Sequence, residues 1–319
     1  MRVDPTTSPV TQSRSSTLPI LLLLVGVFCG ASSVVMIKAS HLHPAVLSAY
    51  RLFLAVLLLL PIYLREVHRF RAVFSAREHL LPTLLPGLVL ALHLITWTQG
   101  AQWTRAANAT LIVCMVPVVM PFLLFFTMGE VITKWELLGT AVAMSGAVWL
   151  GASDFGVSRQ SVLGDITCFI SMLLFSYYLV QGRINRGFPS LWLYLVPLYA
   201  VAGGVCFLIA LCVAKPLESY PTREWLLVLA QAVVPTILGH SILNHAMKQL
   251  RGQLVSVVNL FQFLFAGALG YLFFNEVPGP VFYGAGLLVV GGAILVIRAL
   301  AATPHGEEEL AEFTAPPEV

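Results

Sequence analysis

Residues 106–130 read AANATLIVCMVPVVMPFLLFFTMGE, an apolar run free of charged side chains until it closes on Gly129-Glu130. About 20 such residues are what an α-helix needs to cross the hydrocarbon of a bilayer. In lipid only a helix or a closed barrel satisfies its own backbone. Working outward, similar apolar runs fill nearly the whole chain, near 18–37, 44–64, 80–101, 106–127, 135–152, 164–183, 189–212, 225–247, 253–274 and 279–299. The composition agrees: 58% of the 319 residues are hydrophobic, 10% are charged and the mean hydropathy is +0.87. Soluble domains carry about 25% charged residues, so a water-soluble fold is excluded. The fold class read here is an all-α polytopic membrane protein with about ten transmembrane helices.

The opening stretch also has a counterpart. Gly129-Glu130 after the fourth span matches Asn275-Glu276 after the ninth, 146 residues on. His43-Pro44 before the second matches Phe188-Pro189 before the seventh at an offset of 145, and Ser145-Gly146 matches Gly291-Gly292 at 146. Three matches in order at almost the same spacing indicate duplication of a five-helix unit. An odd unit in tandem inserts its second copy upside down, so the sequence predicts two inverted five-helix repeats. The expected organisation is a disordered tail at 1–17, a first repeat at 18–152, a loop at 153–163, a second repeat at 164–300 and a disordered acidic tail at 301–319.

Placing the N-terminus in the cytoplasm puts twelve loop and tail Lys/Arg inside and five outside, with Arg51 left within a helix. This bias predicts that both termini are cytoplasmic. The net charge of +3 reflects short loops facing anionic lipid, and no basic block points to nucleic acid. Cys29, Cys114, Cys168, Cys206 and Cys212 lie in apolar segments without a CxxC or Cys/His pattern, and are read as inert thiols. Leu18 to Ile37 is too long for a signal-peptide core and reads as a retained first helix.

Ala106 to Leu150, with Pro117 inside helix four, Gly129-Glu130 at its end and Gly139 and Gly146 in helix five, resembles the EamA unit of the drug/metabolite transporter superfamily. Gly252 to Val296, with Asn275-Glu276 and a glycine-rich last helix, resembles the second EamA unit. Arg51 stands where such proteins commonly carry arginine, and Asn244 where the second repeat often has asparagine. Gln262-Phe263 departs from the Glu-Pro-like pair of helix nine, and His245 stands where arginine is common. The resemblance implies a ten-helix solute carrier, often an exporter of amino acids or other metabolites, in a bacterial-type plasma membrane.

At hydrocarbon depth, away from the span ends, Arg51 is the one permanently charged side chain, and no Asp or Glu joins it. A desolvated arginine faces the bundle interior and finds carbonyls or an anion there, so Arg51 is either a structural clamp or a gating and solute-binding group. His93 and His240 sit mid-span in corresponding helices of the two halves, titrate near neutral pH, and are candidates for coupling as well as binding. His93 shares a helical face with Thr96, Trp97 and Gly100, and His240 with Asn244 and Met247. Ser256, Asn259 and Gln262 form a polar strip in helix nine; Asn108, Thr110 and Cys114 form one in helix four. Ser33 with Met36, and Phe175 with Tyr178, complete a mixed wall. The substrate-binding candidates are therefore Ser33, His93, Trp97, Asn108, Cys114, Tyr178, His240, Asn244, Asn259 and Gln262, each of which reads equally as an interhelical hydrogen-bonder or packing residue.

The function expected is a secondary transporter moving a small organic metabolite, amino-acid-like in preference, by alternating access, and acting as an exporter. The alternatives are a multidrug or other metabolite permease, a non-transporting sensor, or an intramembrane enzyme. Catalysis is not expected, because HExxH, GxSxG, a phosphate-binding loop and paired intramembrane carboxylates do not occur. No cofactor or metal is expected. The partners expected are a solute and the lipid bilayer, with a homodimer left open.

Overall fold

A computed structural model describes residues 17–153, 158–275, 277 and 279–302. The two tails expected to be disordered lie, apart from residues 17, 301 and 302, outside the described residues, as does Glu276. Ten rods follow one another: α1 (Thr17–Ala39), α2 (Pro44–Arg69), α3 (Ala76–Trp103), α4 (Ala106–Met128), α5 (Lys134–Ser153), α6 (Arg159–Ile184), α7 (Leu191–Val213), α8 (Thr222–Gln249), α9 (Gly252–Phe274) and α10 (Pro280–Ala301). Among the described residues nine of these are long and apolar enough to cross a membrane; the other, α5, is a 20-residue helix packed along α10. Helix α6 begins at Arg159, five residues before the expected start, so the loop expected at 153–163 is shorter.

The repeated sequence signals have a local cause. Helix α2 starts with Pro44 at its first turn, where a missing amide costs nothing, and the His43 ring accepts from the Ala45 amide at 3.3 Å. Helices α4 and α9 end on Gly129 (φ +66°) and Asn275 (φ +55°), both left-handed. Glycine and asparagine tolerate that conformation best, which explains the Gly-Glu and Asn-Glu endings. Both helices also break at the same point of the repeat. Helix α4 is interrupted at Cys114-Met115 ahead of Pro117, and α9 at Leu260-Phe261. Helix α8 carries a π-helical stretch, Ala232–His240, around Pro235. Irregular backbone at membrane depth persists only where it is buried in protein or lines a cavity.

Packing confirms the duplication. Helices α2 and α7, α4 and α9, and α5 and α10 pair with each other. The remaining contacts between halves come in exchanged sets: α3 with α6 and α8 with α1, α4 with α6 and α9 with α1, α3 with α7 and α8 with α2. The second copy runs inverted: the start of α9 meets the end of its counterpart α4 through Arg251 and the Val131 carbonyl, and the start of α2 meets the end of its counterpart α7 through Tyr50 and the Pro216 carbonyl. At one end of the bundle the Arg183 Nε donates to Glu130 at 2.8 Å, Arg251 lies 2.8 Å from Glu136, and the Lys248 ammonium donates to the Phe188 carbonyl. At the other end the Ser40 hydroxyl donates to Glu224 at 2.6 Å, Lys38 donates to the Thr104 carbonyl, and the Tyr50 hydroxyl donates to the Pro216 carbonyl. Of these, Arg183 with Glu130, Arg251 with Glu136, Ser40 with Glu224 and Tyr50 with Pro216 join the halves, at both ends of the bundle.

Candidate functional site between the halves

Between the two halves lies a cavity enclosing about 430 Å³, including its open mouth. Ser33 of α1, Arg51 of α2, His93 and Trp97 of α3, His240 of α8 and Gln262 of α9 meet on its wall. These side chains were singled out in the sequence, and their meeting follows from the inverted pairing of α3 with α6 and α1 with α8. Arg51 is 1% exposed. Its Nε donates to the Thr236 hydroxyl at 2.9 Å, and Thr236 in turn donates to the Gln231 carbonyl at 2.8 Å. The Arg51 Nη1 is buried with no hydrogen-bond partner among the described residues. Among the described residues no carboxylate lines the cavity.

The histidines face each other with ring centroids 6.4 Å apart, but their surroundings differ. His93 Nδ1 lies 2.8 Å from the Ser171 hydroxyl and 3.0 Å from its carbonyl, and Phe175 stacks on the ring at 4.8 Å. His240 packs edge-on to Phe175 and Tyr178, and its Nδ1 has no partner among the described residues. Polar groups close the α1 side: the Trp97 indole donates to the Ser33 hydroxyl at 3.4 Å, and Ser33 donates to Gln231 at 3.1 Å. On the α9 side the Gln262 side-chain amide donates to Asn259 Oδ1, which holds the glutamine amide against Gly30.

The other candidates sit elsewhere. Tyr178 and Asn244 form a layer toward the Arg183 end, where the Asn244 amide donates to the Tyr178 hydroxyl at 2.6 Å and to the His240 carbonyl at 2.8 Å. Asn259 reaches the wall only through Gln262. Asn108 and Cys114 are buried in α4 but lie off the wall, which α4 meets at Val113 beside the helix break. Thr96 also leaves the face it was assigned, because its hydroxyl bonds back to the Leu92 carbonyl at 2.7 Å. Sequence reasoning missed Gln231 and Thr236. The available signal was an amide and a hydroxyl flanking Pro235 inside an apolar span.

The geometry is thus a positively charged, largely enclosed cavity at the interface of inverted repeats, flanked by discontinuous helices. The sequence profile of the EamA-like transporter family matches residues 17–152 and again residues 162–298. The chain belongs to the EamA-like transporter family. As an EamA transporter it is a multi-pass membrane protein. It is 24% identical over 229 residues to the pseudopaline exporter CntI of Pseudomonas aeruginosa, which covers 71% of this chain and 78% of that protein. It is 26% identical over 249 residues to an uncharacterized transporter of Archaeoglobus fulgidus, covering 78% and 84% of the two chains. A solved crystal structure superimposes on it with a TM-score of 0.70 at 16% identity, covering 88% of this chain and 98% of that one, a likeness of fold.

Proposed function

We propose that this EamA transporter is a secondary carrier that exports a small metabolite bearing a carboxylate, amino-acid-like in form, across the bacterial plasma membrane, with both termini in the cytoplasm. The observation that carries this reading is Arg51. A guanidinium withdrawn from water needs a compensating charge or a full set of acceptors. Among the described residues Arg51 has Thr236 on one nitrogen and nothing on Nη1, and the cavity it faces offers no acid. A solute carboxylate supplies what is missing. Phe175, Trp97 and the two imidazoles suit the rest of an amphiphilic molecule. The inverted halves, bonded to each other at both ends, support alternating access, in which one set of end bonds opens while the other holds. Export is supported by the description of the Pseudomonas aeruginosa relative as an exporter.

Flux in proteoliposomes tests it, with L-phenylalanine against L-phenylalaninamide. Arg51→Gln should reduce flux of the acid by about 10- to 100-fold, the worth of a charge-assisted hydrogen bond, and leave the amide within about twofold. Equal losses of both, with a lower folded yield, would identify Arg51 as a structural clamp. That outcome would favour a permease for uncharged hydrophobic solutes.

A further inference from the structure

A second cavity of about 230 Å³ opens at the Arg183 end of the bundle, between the end of α6, the start of α7 and the end of α8. Its wall includes Asn185, Arg186, Phe188, Tyr194, Asn244 and Lys248. Two cations therefore face one small space, with Arg186 at the exposed mouth and Lys248 half-buried, and no carboxylate lines it. Two buried polar atoms there lack hydrogen-bond partners among the described residues: the Tyr194 hydroxyl and Asn244 Oδ1. Tyr194 is 3% exposed and Asn244 is 1% exposed. Buried polar atoms without partners are rare, and each calls for an explanation. Phe188 and Tyr194 meet edge to face at 5.2 Å and provide an apolar wall.

We infer that this cavity is a separate docking site for a zwitterionic, amino-acid-like solute on its way to the central cavity. The inference rests on the substrate class proposed above. Lys248, Arg186 and the Tyr194 hydroxyl receive the carboxylate, Asn244 Oδ1 accepts from the ammonium, and Phe188 packs on the side chain. The site is one layer from the central cavity, because the same Asn244 donates to the Tyr178 hydroxyl and to the carbonyl of His240, whose ring lines that cavity. Passage inward requires the bond between Asn244 and Tyr178 to open. A solute ammonium drawing on Asn244 Oδ1 would reorient that amide and release Tyr178.

The test reads occupancy rather than flux. Leu191 lines the cavity without a polar role, and Leu191→Cys in a Cys212→Ser background gives a reporter thiol, Cys212 being the exposed natural cysteine. In detergent, L-phenylalanine at about ten times its half-protecting concentration should slow maleimide alkylation about tenfold. Adding Arg51→Gln, which removes the central anchor, should leave that protection in place; adding Lys248→Gln should abolish it. Tyr194→Phe serves as a second variant that only removes an unpartnered hydroxyl and keeps the fold; it should weaken protection. L-Phenylalaninamide should protect poorly. Protection lost with Arg51→Gln, or insensitive to both Lys248→Gln and Tyr194→Phe, would overturn the proposal. So would protection by phosphatidylglycerol in mixed micelles without solute, which would make the cavity a lipid headgroup site. An acid preference in flux that depends on Arg51, without any protection at residue 191, would leave the central reading standing and remove this one; protection without Arg51-dependent acid preference would do the reverse.

Discussion

The Arg183 guanidinium ties the two halves together by donating to Glu130 at 2.8 Å while its Nη1 reaches the carbonyls of Leu250 at 2.5 Å and Met247 at 3.2 Å. It thereby neutralises the acid that closes α4 and caps the free carbonyls at the end of α8. Arg183→Gln should lower stability by about 3 kcal/mol, the usual cost of breaking a buried pair from one side. Glu130 is the more exposed partner, and Glu130→Gln keeps an acceptor for Arg183, so its cost should be about 1 kcal/mol. Unfolding in mixed detergent micelles compares the two. Equal losses would show that the carbonyl caps add nothing to the ion pair.

The contact between α5 and α10 yields a sharper pair of variants. A Cβ at Gly292 would clash with the Gly139 carbonyl and lie 2.5 Å from the Ala143 amide, whereas one at Gly291 would meet nothing within 4 Å. Gly292→Ala should therefore cost about 1–3 kcal/mol by forcing the helices apart. Gly291→Ala should be neutral or stabilising by about 0.5–1 kcal/mol, as expected for glycine replaced in a helix. Similar melting temperatures for the two variants would refute this close approach.

How much of this was legible beforehand depends on what each residue's neighbours are. The helices and their duplication were readable because they rest on local rules: apolar length, Pro44 at a first turn, and Gly129 and Asn275 at left-handed ends. Six polar candidates converged on one cavity because inverted pairing places equivalent mid-span positions together, which the offset in sequence already implied. Asn108, Cys114 and Thr96 failed for a different reason. Helix α4 is broken at Cys114-Met115, so a face extrapolated from regular helix misplaces what precedes the break, and a threonine inside a helix can satisfy itself on its own carbonyls. The partners Thr236 and Gln231 lie in and beside a π-helical stretch, where threefold and fourfold spacing no longer marks a face.

Acid should weaken the start of α2. His43 accepts from the Ala45 amide through Nδ1, which requires a neutral ring, and desolvation holds its pKa below the ordinary histidine value. The unfolded chain then takes up a proton that the folded chain refuses. Stability contributed here is present above the unfolded pKa of about 6.5 and declines as pH falls below it, until the folded ring also protonates. His43→Asn keeps a capping acceptor without titrating, so the difference in melting temperature between variant and wild type should grow in the variant's favour from pH 7 to pH 5. A constant difference across that range would show that the ring is not the cap.

The last prediction separates the two cavity histidines. His93 is held at Nδ1 by Ser171, whose hydroxyl also donates to the His93 carbonyl at 3.1 Å, so this ring joins α3 of one half to α6 of the other. His240 has no partner on Nδ1 among the described residues, shares the cavity wall with Arg51 and His93, and packs edge-on to Tyr178. We therefore expect a proton exchanged with the solute path to be carried by His240, and His93 to hold the interface. His93→Gln should reduce folded yield and melting temperature, costing about 1–3 kcal/mol for a buried polar group left unpaired, while the surviving protein keeps the wild-type pH profile of flux. His240→Gln should fold normally and flatten the dependence of flux on pH measured from about 5 to 8, because glutamine has no proton to exchange. Proteoliposome flux measured across that range for both variants, alongside their melting curves, decides between these roles. A wild-type pH profile in well-folded His240→Gln would leave transport driven by the solute gradient alone, since the cavity wall holds no carboxylate to replace it.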